Sequence, residues 1–320
     1  MLSRTADNLF WMTRHIERAD NTSRMLNVNL QMALLPQDAH TLENSWRAVL
    51  RISELQGGYT AHYPGVTPHD VMHYMVRDAD NPSSIYSCLR AARENARAVR
   101  GSLTTEVWET YNSTWLGLLE HFDSGLPERN PVEFFDWVKF RSHLARGVTL
   151  ATMQIDEELY FMRLGLNLER ADNTARMLDV KFHERDDDMP AERNVETNTY
   201  SEFYRWSALL SALAGLEIYR KIYRDVIAPD RVAELLILRD DMPRSLLNSV
   251  KILSQTLNIV AGDRSAETVR RTGMMRAELE YGRIEDIMRG GLHRFLERFL
   301  ARINDLGTRI GQDFLMSVSH

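Results

Sequence analysis

The segment ERADNTSRMLNV, Glu17 to Val28, recurs as ERADNTARMLDV, Glu169 to Val180, 152 residues further along, with ten of its twelve positions identical. The parallel continues in order at a slightly larger spacing. Trp46 matches Trp206, Tyr59 and Tyr63 match Tyr219 and Tyr223, Pro68 matches Pro229, and Pro82 matches Pro243. Order-preserving self-similarity of this kind is the mark of a tandem duplication. It predicts two diverged repeats, residues 1–152 and 153–320, related by a pseudo-two-fold axis and packed as one compact unit. The boundary is expected between Thr152 and Glu158, where Asp156, Glu157 and Glu158 favour the positive end of a new helix dipole.

Hydrophobic spacing around the first copy is helical. Leu9, Met12, Ile16, Ala19, Ser23, Leu26 and Leu30 recur at steps of three and four, which places them on one helix face against a core. Thr67-Pro68 with Asp70, Asn81-Pro82, and Asn130-Pro131 with Glu133 each set a capping side chain before a proline suited to the first helical position. Gly57-Gly58 and Gly290-Gly291 read as breaks. His183 to Thr199, with Asp186 to Asp188 and Pro190, reads as an exposed loop, and Ala208 to Leu216 as a buried helix. With no strand-rich stretch, the expected class is all-α, a helical bundle.

Composition narrows the function classes. The chain has 320 residues, 44% hydrophobic and 26% charged, with nine prolines and sixteen glycines, which is ordinary globular usage. A net charge of -6 gives no general attraction to phosphate backbones, so nucleic-acid binding is not expected. Cys88 is the single cysteine and can form no internal disulfide, which suits a reducing, cytoplasmic setting. The first residues carry no apolar stretch of the secretory kind, and no apolar run reaches the roughly 20 residues of a membrane span. No membrane association is expected.

On a helical wheel Glu17, Asn21 and Arg24 share one stripe at i, i+4 and i+7, with Phe10 before it and Val28 after it. Glu169, Asn173 and Arg176 repeat the stripe among Met162, Leu166 and Val180. Polar groups bracketed by apolar ones predict burial, and buried charges must satisfy one another or a ligand. Three readings are open. Each trio is a structural hydrogen-bond network; or the trios form a polar pocket at the junction of the repeats, with Arg holding a carboxylate or phosphate and Glu acting as acid or base; or they hold metal. Glu17 with Asp20, and Glu169 with Asp172, have an i, i+3 carboxylate spacing, but no Glu-x-x-His pair accompanies them, and His15 is replaced by Asn167 in the second copy. Neither a metal nor a cofactor is therefore expected.

A second cluster belongs to the first half alone. Arg93, Arg97 and Arg100 align beside Glu94 and Asn95, where the second half has Ser254, Gln255, Thr256, Asn258 and Ala261. Such asymmetry points to one site, with an anionic partner if the stripe is functional, although a solvated basic face gives the same pattern. His62, His69 and His73 read as an incidental group, and Asp186 to Asp188 as solvated. Trp46, Trp108, Trp115, Trp137 and Trp206 read as core or groove aromatics. There is no Gly-rich phosphate loop and no nucleophile elbow.

The opening LSRTADNLFWMTRHIERADNTSRML, the stretch NPSSIYSCLRAARENARAVRGSLTTEVWETYN from Asn81 to Asn112, and LERADNTARMLDV resemble the Alpha-E family of bacterial helical proteins, over essentially the whole chain. The resemblance implies motif positions at Glu17, Arg18, Glu169 and Arg170, together with Arg93, Glu94, Asn95 and Arg97. It also implies a partner, because members of the family are encoded beside or fused with a circularly permuted ATP-grasp protein, often near transglutaminase-like peptidases. ATP-grasp enzymes make amide-type bonds through acyl phosphates.

The leading expectation is a helical partner subunit of an ATP-grasp-type peptide or amide ligase system, binding or positioning substrate through Arg18, Asn21, Arg24, Arg93, Glu94, Asn95, Arg97, Arg170, Asn173 and Arg176. The alternative is an enzyme in its own right for acyl or aminoacyl transfer, with Glu17 or Glu169 as general base. A ferritin-like metal bundle is the third. Whether the chain is an enzyme stays open at this point, and assembly into a homo-oligomer is compatible with the sequence.

Overall fold

The computed structural model describes residues 2–34, 38–187, 195–262 and 265–315, and the side chains of all of these except 181–187 and 195–202. Among the described residues the chain is all-helical, without strands. Two helices of 31 residues form its spine: α1, Ser3–Ala33, and α9, Glu157–Asp187. Between them lie α2 (Ala39–Ile52), α3 (Gln56–Thr60), α4 (Pro68–Val76), α5 (Ile85–Ala98), α6 (Thr105–Asp123), α7 (Leu126–Arg129) and α8 (Pro131–Thr152). After α9 come α10 (Val195–Ala212), α11 (Leu216–Tyr223), α12 (Pro229–Leu238), α13 (Leu246–Val260), α14 (Ala266–Glu280), α15 (Ile284–Gly290) and α16 (Leu292–Phe314). The first spine helix packs along α9, α5 and α8, and the second along α1, α13 and α16.

α1 holds no glycine or proline, so nothing in its backbone interrupts it. Its burial departs from the single-face expectation. Every residue from Ala19 to Asn27 is buried, including Asp20, Asn21, Thr22, Ser23, Arg24 and Asn27. A run of about two and a half turns without an exposed residue means the helix is covered on all sides. Its polar face is interior too, which creates the demand for ion pairs described below.

Most helix starts fall where local chemistry puts them. Thr67 accepts from the Asp70 backbone N–H before Pro68, and Asn130 accepts from that of Glu133 before Pro131. α8 ends at Thr152 and α9 begins at Glu157 with acidic residues in its first turn. Asn81-Pro82 is a correction: Asn81 Oδ1 accepts from Ser83 N–H and its Nδ2 donates to the Tyr74 carbonyl, so it builds a turn, and the cap passes to Ser84. Gly57-Gly58 is another, because both lie inside α3. Gly290-Gly291 does break the chain, with Gly291 at φ 91°. Ala208 to Leu216 is not one helix: α10 ends at Ala212 and Ala214 has φ 53°. Of the expected loop His183 to Thr199, the two ends are helical, through Asp187 and from Val195; residues 188–194 lie outside the described residues.

The spine helices approach closely at Gly165. A Cβ there would stand 2.1 Å from the Phe10 carbonyl oxygen and 2.6 Å from Thr13 Oγ1. Thr13 Oγ1 in turn donates to the Met162 carbonyl across the same contact, at 2.8 Å. Gly165→Ala should therefore lower unfolding free energy by about 1–3 kcal/mol despite alanine's better helix propensity. Gly147→Ala on α8, where nothing lies within 4 Å, should instead gain up to about 1 kcal/mol. Chemical denaturation of both variants reads the contrast, and equal effects would refute the contact.

Candidate functional site

The two Glu-Arg motifs meet in the middle of the spine and exchange partners. Glu17 accepts from Arg170 Nε at 3.1 Å and Nη2 at 3.2 Å, while Glu169 accepts from Arg18 Nε at 2.6 Å and Nη2 at 3.0 Å. Each motif's glutamate is thus held bidentately by the other motif's arginine, the geometry in which the planar guanidinium gives its strongest bonds. The trio stripes do not close on themselves. Arg24 binds Asp20 rather than Glu17, Arg176 binds Asp172 rather than Glu169, and Asn173 Nδ2 donates to the Met177 sulfur.

Around Glu17 the cluster is dense. Arg244, in the turn before α13, donates to Glu17, Asp20 and Asn21, at 2.9, 2.6 and 2.7 Å. Arg146 on α8 reaches Glu17 at 3.3 Å and Asp20 at 3.6 Å. Arg24 adds a bond to Asp20 at 2.9 Å and donates through Nη2 to His143 Nε2, also at 2.9 Å. Glu17 and Asp20 have no solvent exposure. Two carboxylates therefore face four guanidiniums, those of Arg24, Arg146, Arg170 and Arg244, a surplus of two positive charges. Asn21 Nδ2, also buried, has no acceptor among the described residues.

The Glu169 side is balanced. Arg14 and Arg18 serve Glu169, and Arg176 bridges Asp172 and Glu54, so three guanidiniums meet three carboxylates. The electrostatics follow this division. Burial would raise the Glu169 pKa, but Arg18 and Arg14 overcome it and bring it down to about 2. Burial likewise opposes ionisation of Glu17, and Arg170, Arg244 and Arg146 hold it well below the usual carboxylate range. Arg18 is pushed above its ordinary value, chiefly by Glu169. Arg146 moves the other way: burial lowers it, and Arg170 and Arg244 oppose its charge. Arg146 is thus the cation with least compensation, and at 22% side-chain exposure it is also within reach of solvent, next to the exposed His143.

The remaining sequence candidates lie elsewhere. Arg93 donates to Asn112 and Glu94, and Arg97 pairs with Glu94, on the outer part of α5, with Asn95 half-buried beside them. Arg100 has left that helix for a short 3-10 turn, where it lies 5.3 Å from the Trp108 ring centroid. Among the described residues no hydrogen bond or ion pair joins Arg93, Glu94 or Arg97 to Glu17 or Glu169. His62, His69 and His73 bond separately to Gly58, Asp70 and Tyr63. Among the described residues no three His, Cys, Asp or Glu side chains are placed to hold a metal ion. Burial raises the Cys88 thiol to about 12, which leaves it protonated at neutral pH.

Arg14, Arg146, Arg244 and His143 are the residues that sequence reasoning missed. One signal was present for Arg244: it follows Pro243, whose match is Pro82, and so stands where the first half has Ser83. An arginine gained against serine beside a helix cap marks a charge that the first half lacks at this position.

Because the carboxylates are clamped, Glu17→Gln or Glu169→Gln should cost about 3–5 kcal/mol by leaving guanidiniums buried without their counter-charge. The pH dependence follows from the depressed pKa values. Stability from Glu169 is fully present above the unfolded carboxylate value of 4.5 and is lost as pH falls through the folded value of about 2. Urea titrations between pH 6 and 2 (roughly the range in which linkage acts) should show wild-type stability falling faster than that of Glu169→Gln. Parallel curves would refute the assignment.

Among the described residues no helix is long and apolar enough to cross a membrane. No curated protein and no solved structure matches the chain. One family does, described as a predicted alpha-helical domain with a conserved ER motif, and the match runs over residues 1–315. With essentially its whole length matched, the chain belongs to the Alpha-E family.

Proposed function

We propose that this chain is a helical partner subunit of an ATP-grasp-type peptide or amide ligase system, and that it receives an anionic group of the substrate, a carboxylate or phosphate, at the Glu17 cluster. The observation that carries this reading is the surplus of two guanidinium charges there, next to an Asn21 amide without an acceptor. Uncompensated buried cations are costly, and an anion docking against them is worth far more than at an exposed site. The entry side is formed by Arg146, His143 and Arg24, of which His143 is exposed.

Glu17 and Glu169 act in this reading as fixed counter-charges. A general base must release and accept a proton near the working pH, and both groups are held far from it with every oxygen already bonded. The ligase partner comes from the family resemblance. The tandem-duplication reading is supported by the reciprocal Glu-Arg exchange. It is supported as well by matched tyrosine bonds, Tyr59 Oη to the Gly65 carbonyl and Tyr219 Oη to the Val226 carbonyl.

Co-expression with a circularly permuted ATP-grasp protein of the kind the family resemblance implies should yield a complex whose ATP turnover depends on this chain. Absence of both complex and dependence would refute the partner role. For the anion site, inorganic phosphate should raise the melting temperature of the wild type relative to an equal ionic strength of chloride. Arg146→Gln should abolish that shift with little change in its absence, because Arg170 and Arg244 still neutralise Glu17.

A further inference from the structure

A cavity of 320 Å³ lies between the C-terminal half of α1, α2, α9 and α10. Its volume is at the lower end of the range typical for small-molecule sites. The sequence matches that run through the two halves of the chain meet in its wall. Met25 and Met177 hold the same place in the repeated Glu-Arg segment, and both line it. Ala48, Val49 and Ile52, which follow Trp46 by two, three and six positions, line it from α2. Ala208, Leu209 and Ala212, which follow Trp206 by the same steps, line it from α10. Corresponding residues thus give the cavity an apolar body on both sides.

The polar part of the wall is occupied with its own bonds. Arg47 donates from Nε and Nη2 to Glu43, and Arg51 and Arg205 have partners as well. Ser45 Oγ donates to the Leu42 carbonyl, and Asn44 Nδ2 to a His40 ring nitrogen. The three cations of the wall are therefore not idle charges waiting for an ion. One buried polar atom is left over. Asn29 lines the cavity and is 9% exposed, and its Nδ2 has no acceptor among the described residues. A native protein seldom leaves a buried amide donor unpaired unless a water or ligand completes it.

We propose that this cavity binds a small neutral carbonyl compound, whose aliphatic chain lies among Met25, Met177, Val49, Ile52 and Leu209 and whose oxygen accepts from Asn29 Nδ2. The flexible methionine thioethers fit themselves to the chain. The oxygen is required because a pure hydrocarbon would leave the amide donor unmet. A charged headgroup is rejected because an ion loses its hydration in the cavity and finds only groups that already have partners. Asn29 reaches the oxygen by turning its amide toward the void about χ2, a broad terminal torsion. Neither the anion reading of the Glu17 cluster nor the ligase partner is needed for this inference.

Titration calorimetry of the full chain with methyl hexyl ketone, octanoate and octylammonium at neutral pH tests it. One ketone should bind per chain, at least tenfold more tightly than either ion. Ala208→Phe, which fills the cavity from a half-buried position on α10, should weaken the ketone at least tenfold. Asn29→Leu, which removes the donor at similar side-chain volume, should weaken it at least threefold. The proposal is overturned if the ketone gives no saturable heat at millimolar concentration, if either ion binds as tightly, or if either variant binds the ketone like the wild type. The comparison of ketone with ions uses the wild-type protein alone and so stands even if a variant fails to fold.

Discussion

Each of the two spine helices carries a buried glutamate that an arginine of the other helix holds bidentately. Glu17 depends on Arg170, and Glu169 on Arg18. A carboxylate or guanidinium left alone in such an interior costs several kcal/mol, so α1 and α9 have one register at which both pairs form. The close backbone approach at Gly165 and the Thr13 bond to the Met162 carbonyl belong to that same register. The other helices complete the enclosure, with α5, α8 and α10 against α1, and α13 and α16 against α9.

The exchange is reciprocal, but its surroundings are not. At Glu169 the charges cancel, through Arg14, Arg18 and Arg176 against Glu169, Asp172 and Glu54. At Glu17 the addition of Arg146 and Arg244 leaves positive charge in excess. Two sites with the same motif thus differ in net charge: the balanced one is complete, whereas the other keeps a positive surplus. That difference in charge, rather than the motif itself, sets the two clusters apart.

Helix class and most boundaries were legible because they depend on short-range chemistry: apolar spacing at three and four, a cap before proline, an acidic first turn. The misses have the same origin. Asn81-Pro82 has the local signature of a helix start, yet the Tyr74 carbonyl, a tertiary partner, draws Asn81 into a turn. Burial of Glu17 and Glu169 was also readable, from their apolar brackets. Their partners were not, since the i, i+4, i+7 stripe suggested satisfaction within the helix, and the actual donors come from positions such as Arg146 and Arg244 that carry no periodic signal.

Helicity, the doubled Glu-Arg segment and its burial can all be read from the residues in order along the chain. Periodicity, capping and self-similarity are properties of neighbours along the chain and need no coordinates. Which arginine serves which glutamate, and that one cluster is balanced while the other carries a surplus, emerge only when the helices pack. Coulomb attraction and cavity shape depend on distances between residues up to 224 positions apart, as for Arg244 and Asp20, and only the packed helices set those distances.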